Sequence, residues 1–256
     1  MKVVELFVPI VVVLSLALLL ALAFDYIIPQ AQIRKLAEFY LYAAYNPFHL
    51  GNYTAMTPAV VSAIVWDFRG LDTLFETMVF YLALIAGTAL CRGTFSERMS
   101  VKGVGLSVIV KTVTKITVPM ILAVGASIGL HGHLTPGGGF QGGSVIAVVP
   151  MLFIVIFSIT FLVERGITTG KVLTLRTLGL TGIGLTAVAL FMASLVVGQH
   201  AYVFQNIAKP DAPLSMPREL SGTVWFFNLF EMIAVAAGFS MAFITITLSR
   251  YSARGG

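Results

Sequence analysis

Six runs of about twenty predominantly apolar residues, almost free of charge, leave this chain one solvent to fold in, the hydrocarbon of a bilayer. They occupy roughly residues 6–24, 73–91, 107–130, 144–163, 172–197 and 223–248. At about 1.5 Å per residue, each is long enough as a helix to cross about 30 Å of hydrocarbon. Lipid offers the backbone no hydrogen-bond partner, so each span must satisfy its own amides, and a helix does so. The expected fold class is therefore all-α: a polytopic membrane protein with about six transmembrane helices. A seventh apolar run, residues 57–66, is too short to cross. Its Thr57-Pro58 start places proline at the first helical position and predicts a half-length helix at or dipping into the membrane surface.

Composition excludes several function classes. Apolar types make up 58% of the 256 residues and charged types 11%, against about 25% charged in a soluble domain. The net charge of +5 comes from cations scattered over short connections. No basic stripe with interleaved aromatics forms, which argues against a nucleic-acid partner. Cys91 is the sole cysteine, so neither an internal disulfide nor a multi-cysteine cluster can form, and no cofactor is expected. The first apolar run follows Lys2 and Glu5 without a small-residue cleavage site, and reads as a retained anchor.

The cations instead set orientation. Arg92, Arg98 and Lys102 lie between the second and third spans, Arg165 and Lys171 between the fourth and fifth, with Arg176 just inside the fifth, and Arg250 and Arg254 in the tail. Residues 131–143 carry no Lys or Arg, and 199–221 carry only Lys209 and Arg218. Both termini are thus expected in the cytoplasm, although Arg34, Lys35 and Arg69 in the 25–72 connection oppose this weakly. Aromatics there, from Phe39 to Phe48, suit an interfacial belt. Gly125 with Gly129, and Ala234 with Gly238, form small-xxx-small faces for close helix packing within the chain or against a neighbour.

Among residues able to carry chemistry, Glu231 stands out. It lies about 12 Å deep in the last span, where a charged group costs about 3 kcal/mol on insertion scales. Such a carboxyl either carries protons or cations through a polar interior, or is a structural group hydrogen-bonded to a neighbour such as Asn228. Asp67, Asp72 and Glu76 form a second acidic cluster, with Asp72 and Glu76 on one helix face at the mouth of the second span. They either share protons or a cation, or start a salt-bridged helix with Arg69. Lys111 and Lys115, also one turn apart, either snorkel to headgroups or sit buried and titrate. The string from His131 and His133 through Pro136, Gly137, Gly138, Gly139, Gly142 and Gly143 lacks the Gly-Lys-Ser/Thr of a phosphate loop. It reads as a tight connection, or as a loop that dips inward and handles ions with backbone carbonyls and imidazoles. Two histidines without a supporting acid do not make a metal site, and no nucleophile–base pair is present, so the chain is not expected to be an enzyme.

The Pro136–Gly143 core, preceded by Lys111-Thr-Val-Thr-Lys115, resembles the MnhB (MrpB) subunit of multisubunit Na⁺/H⁺ antiporters, over roughly residues 104–250. Residues 55–92, with Asp67-Phe-Arg69-Gly-Leu-Asp72-Thr-Leu-Phe-Glu76, are similar to the C-terminal piece of the large MnhA subunit and to the E-type subunit of archaeal membrane-bound hydrogenases. The resemblance implies an E-type segment over 1–100 with two spans and an MnhB-like domain over 101–256 with four. It further implies a non-catalytic subunit that contributes to Na⁺ and H⁺ translocation beside other membrane subunits. The direct joining of the two pieces points to an archaeal respiratory complex of the hydrogenase or sulfur-reductase type. The alternative is a structural spacer within a free-standing antiporter.

Overall fold

A computed structural model of the chain describes residues 2–27, 33–47, 53–91, 105–210, 212 and 221–254. Phe48, Arg92, Arg98, Lys102 and Arg218, used above as orientation and interface signals, lie outside the described residues. All regular elements among the described residues are helical, in two compact units, 1–39 and 40–256. The first unit holds α1 (Lys2–Ile27), whose apolar stretch Ile10–Ala23 has no interior of its own, and the start of α2 (Lys35–Ala44).

The second unit runs from the end of α2 through α3 (Val60–Ser62), a π-helical segment (Ala63–Phe68), α4 (Gly70–Leu90), α5 (Val108–Leu130), α6 (Gly139–Phe157), α7 (Ile159–Glu164), α8 (Thr169–Val197) and α9 (Thr223–Arg254). Here α4, α5, α6, α8 and α9 are long and apolar enough to cross a bilayer, so the chain is a multi-pass membrane protein. Half of Thr223–Leu248 is buried, against 11–28% in the other four, so α9 is the central column, packed chiefly on α8 and α6. At one end, Trp66 stacks on Phe227 with centroids 4.5 Å apart and planes 3° from parallel, joined by Ile183, Ala187, Phe204 and Val224. At the other, α7 adds Ile159 and Leu162 to Val172, Ala237, Met241 and Ile244.

Glycines decide how close these helices come. A Cβ on Gly142 would stand 2.6 Å from the Gly125 carbonyl and 2.7 Å from the Gly129 amide; on Gly143, 2.7 Å from the Met232 carbonyl. A Cβ on Gly179 would meet the Ala234 amide at 2.7 Å. Both small-residue faces, read above as open to either partner, are thus used inside this chain. Each glycine costs a helix about 1 kcal/mol relative to alanine, which the van der Waals contact of touching backbones offsets where lipid supplies no hydrophobic force.

The observed helices differ from the sequence-based spans in three places. First, α6 starts at Gly139 rather than 144, so Gly139, Gly142 and Gly143 are helical and only Pro136, Gly137 and Gly138 remain in the loop. Second, the expected span 144–163 breaks at Ser158, which holds φ 90° with a buried hydroxyl. The break is tertiary in origin: the Ile156 carbonyl accepts from the Leu106 amide (2.8 Å), which leads into α5. Third, Pro58 precedes the first helical residue by two, because the Ala59 amide donates to the His133 carbonyl (3.0 Å) and holds that segment extended.

Alanine at Gly142 or Gly143 should therefore force backbones apart and cost about 1–3 kcal/mol. Alanine at Gly184, which faces open space, should be neutral or slightly stabilising. Thermal unfolding of the complex purified with each variant, followed by loss of assembled band on a native gel, checks the contrast.

Candidate functional site

The loop between α5 and α6 is pinned over the π-helical segment. Ser62 Oγ donates to the Gly132 carbonyl, and Asn228 Oδ1, on α9, accepts from the Gly139 amide (3.2 Å). Gly137 adopts φ 141°, which suits glycine. Widening of the π-helical turn leaves the Val65 carbonyl for Thr73 Oγ1, which donates to it at 2.7 Å. Fully buried Asn206 takes up the loose ends below: its Nδ2 donates to the Ala55 carbonyl (2.7 Å), and its Oδ1 accepts from the Thr223 amide (3.0 Å) at the start of α9.

These elements enclose a cavity of about 440 Å³. Its polar lining includes Glu76, Glu231, Gln141, Asn228, Ser62, Thr73 and Thr77; Trp66, Phe80, Phe140 and Val235 are among the apolar residues. Glu231 is 6% exposed, and Glu76 enters from α4 near enough to act on it electrostatically. The Phe140 amide, in the first turn of α6, faces the Glu231 carboxyl, and so does the buried indole N–H of Trp66, which lacks a well-formed hydrogen bond. A helix N-terminus and an indole are donors aimed at an acceptor. The Asn228 side chain instead serves Gly139, leaving its own Nδ2 buried without a partner. Glu231 is therefore held from α6, not by the neighbour one turn before it. Two carboxyls, two amide side chains and hydroxyls around one chamber can bind a proton or a small cation.

The other residues singled out by sequence fall elsewhere. Asp67 pairs with Lys209 Nζ at 2.9 Å, both side chains buried (3% and 11% exposed), and Tyr202 also accepts from that ammonium (2.7 Å). Burial alone would lower the Lys209 pKa, but the Asp67 carboxylate and the Tyr202 hydroxyl together raise it. Asp72 pairs with Arg69 at 2.7 Å with both side chains exposed, a geometry that contributes little. The Lys111 ammonium lies against Gly105 beside the Ile156 carbonyl near the end of α6, 6.0 Å from the Phe157 ring. Lys115 is exposed on α5. His131 is exposed, its Nδ1 3.0 Å from the Ser127 carbonyl, whereas His133 is buried with Nδ1 unpartnered. Burial foremost, then neighbouring His131, lowers the His133 pKa from 6.5, against a contribution from the Leu130 carbonyl that raises it. Among the described residues no three His, Cys, Asp or Glu side chains converge.

Arg176 is the residue the sequence reading undervalued. Counted there among the orientation charges, it is 1% exposed between α4, α8 and α9, over the rings of Phe80 (5.1 Å) and Tyr81 (4.6 Å). Its place two turns inside an apolar helix was the available signal.

Comparison with known proteins gives concordant matches. The family described as the domain related to the MnhB subunit of Na⁺/H⁺ antiporters matches residues 109–241. The uncharacterized protein MJ1307 of Methanocaldococcus jannaschii is 29% identical over 155 residues, 54% of this chain and 58% of that protein, so the chain spans less than two thirds of that relative. A chain of the membrane-bound sulfane sulfur reductase, an archaeal respiratory membrane complex, superposes with a TM-score of 0.62 at 23% identity, covering 95% of this chain and 98% of that one. A chain of the Mrp complex from Dietzia sp. superposes at 0.59 and 17% identity, over 95% of this chain and 26% of that one. At these identities the two structures establish a shared fold.

Two outcomes follow from the paired and buried charges. Lys209→Met should destabilise the protein by about 3–5 kcal/mol, because it breaks a buried ion pair. Adding Asp67→Asn should recover most of the loss, measurable as a double-mutant cycle in thermal unfolding. For His133, the folded state binds its proton less tightly than the unfolded chain, so stability rises with pH. The contribution of the neutral ring is complete above about 6.5 and is lost as pH falls below it. Melting temperatures between pH 8 and 5 should show this slope, and His133→Asn should flatten it.

Proposed function

The chain belongs to the family of domains related to the MnhB subunit of Na⁺/H⁺ antiporters, and on that footing we propose that it is an ion-handling membrane subunit of a Mrp-type antiport module. The observation that carries the reading is the shared cavity of Glu76 and Glu231. An intramembrane carboxyl is costly, and here the fold surrounds it with a chamber and a second acid rather than with an ion-pair partner. Protons or Na⁺ exchange on these carboxyls, with Gln141, Asn228, Thr73 and Thr77 as further oxygen donors. Asp67, paired with Lys209, and His133, whose carbonyl accepts from Ala59, serve the path indirectly by fixing segments beside the cavity, whereas Asp72, Lys111, Lys115 and His131 lie outside its lining.

The proposal includes the setting. The module works in the cell membrane among other membrane subunits, within an archaeal respiratory complex of the hydrogenase or sulfur-reductase type; the fold shared along nearly the whole of a sulfane sulfur reductase chain supports this choice. The chain has no catalytic centre of its own; redox chemistry belongs to neighbouring subunits. Residues 1–100 form the E-type segment, which supplies Glu76, and 101–256 the MnhB-like domain, which supplies Glu231. Both termini face the cytoplasm, with the His131–Gly138 loop opposite, as the distribution of Lys and Arg implies.

A second reading is favoured by one observation: the Phe140 amide faces Glu231, so the carboxyl also ties α9 to the start of α6. In that reading the subunit is a structural spacer packed between the ion-moving subunits of an antiporter. Glu231→Gln separates the two, since it keeps shape and most hydrogen bonding but cannot exchange a proton. The complex carrying it should assemble normally on a native gel and lose most of its Na⁺-linked proton flux in reconstituted vesicles, at least tenfold, with Glu231→Asp retaining part. Flux equal to the wild type would establish the spacer.

A further inference from the structure

The cavity has a floor, and an unneutralised charge lies directly beneath it. One face of Phe80 lines the chamber of Glu76 and Glu231. The same ring lies 5.1 Å from the guanidinium carbon of Arg176 and 5.2 Å from the Phe239 ring. Val235 also lines the chamber, and Gly238, one turn further along α9, is the position whose Cβ would meet Arg176 Nη1 at 3.4 Å. From Glu231 to Gly238 is seven residues, about 10 Å along the helix. A cation leaving the chamber in this direction meets an aromatic ring and then the guanidinium.

Arg176 has the properties of a fixed charge. At 1% exposure, neither a lipid headgroup nor a carboxylate of another subunit reaches it. Its Nε and Nη1 are buried without a hydrogen-bond partner, and no ion pair to it forms among the described residues. What holds it is cation–π contact with Phe80 and Tyr81, which fixes its height without cancelling its charge. Buried arginines in membranes are ordinarily paired because the bare ion is costly to insert. A bare one at the end of an acidic chamber repels cations, as positive constrictions do in selective pores.

We propose that Arg176, clamped by Phe80 and Tyr81, is a cationic plug that closes the Glu76–Glu231 cavity to Na⁺ and H⁺ toward the C-terminal end of α4. This deepens the ion-handling reading above and rests on it: with the plug in place ions leave the cavity on the side away from Arg176, and they pass the plug only when other subunits drive rearrangement at Phe80.

The test measures passive leak, with no driving reaction. The complete complex, carrying Arg176→Gln, Arg176→Lys or Phe80→Ala, is reconstituted into vesicles with a pH- or Na⁺-sensitive dye inside, and an imposed gradient is left to decay. Arg176→Gln is expected to assemble and to raise the decay rate at least fivefold; Arg176→Lys, which keeps the charge, should stay within twofold of the wild type. Adding Glu231→Gln to Arg176→Gln should suppress the leak, because the path runs through the cavity. Vesicles as tight with Arg176→Gln as with the wild type, or a leak indifferent to Glu231→Gln, would overturn the plug. If Arg176→Gln does not assemble, Phe80→Ala decides by the same criterion, and failure of both to assemble marks a structural clamp and also overturns it. A leak through the cavity with undiminished driven flux in Glu231→Gln alone would leave the plug standing while removing Glu231 from turnover.

Discussion

The contact on which the rest of this protein depends is close approach of backbones at glycines: the start of α6 against α5 on one side and α9 on the other. Asn228 and Glu231 of α9 lie so close to Gly139 that a methyl group there has no room, and the same is true of Gly142 against α5. From this contact follow the seat of the Glu231 carboxyl at a helix N-terminus, the short tether from Asn228 to Gly139, and the height at which the loop lies over the π-helical segment. In lipid such proximity is the main source of helix association. The glycine string is thus a packing device first, and its chemistry follows from where the packing leaves the neighbouring polar groups.

The buried and half-buried charges are each accommodated differently, and the differences sort their roles. Asp67 and Lys209 neutralise one another and join the π-helical segment to the loop before α9. Lys111 folds back to the carbonyl end of α6, where a cation is favoured. Arg176 rests on aromatic faces, and Glu231 faces an amide and an indole while looking into open space. Of these, the last two retain an unneutralised or exchangeable charge in the interior, and they share the wall made by Phe80.

Much of the fold was legible because membrane insertion writes a coarse code: long apolar runs gave α4, α5, α8 and α9 to within a few residues of their observed bounds. The glycines misled at the start of α6. Their intrinsic cost to a helix is a local property, whereas the compensating contact with Gly125 and Met232 is made by residues distant in sequence. The interruption at Ser158 was illegible for the same reason, since neither Gly nor Pro marks it and its cause is a hydrogen bond from Leu106. At the site, depth in an apolar run identified Glu231, and a helical period placed Glu76 one turn beyond Asp72 in α4. That the two meet across a cavity needed the third dimension, as did the separation of Asp67 from them by its pairing with Lys209. Arg176 shows the limit of charge counting: a cation near a helix end looks like a topology signal whether it reaches headgroups or folds inward.

The central position of α9 bears on how the protein is made. Helices enter a membrane in order of synthesis, and here the column around which α4, α5, α6 and α8 are arranged is translated after all of them. Until it arrives, Gly143 and Gly179 lack the backbone they pack on, the ring of Phe80 lacks Phe239, and α6 lacks the Asn228 tether at its first turn. The pair α5 and α6 can close on its own through Gly125, Gly129 and Gly142, but the acidic chamber is complete only once Glu231 and Asn228 arrive with α9.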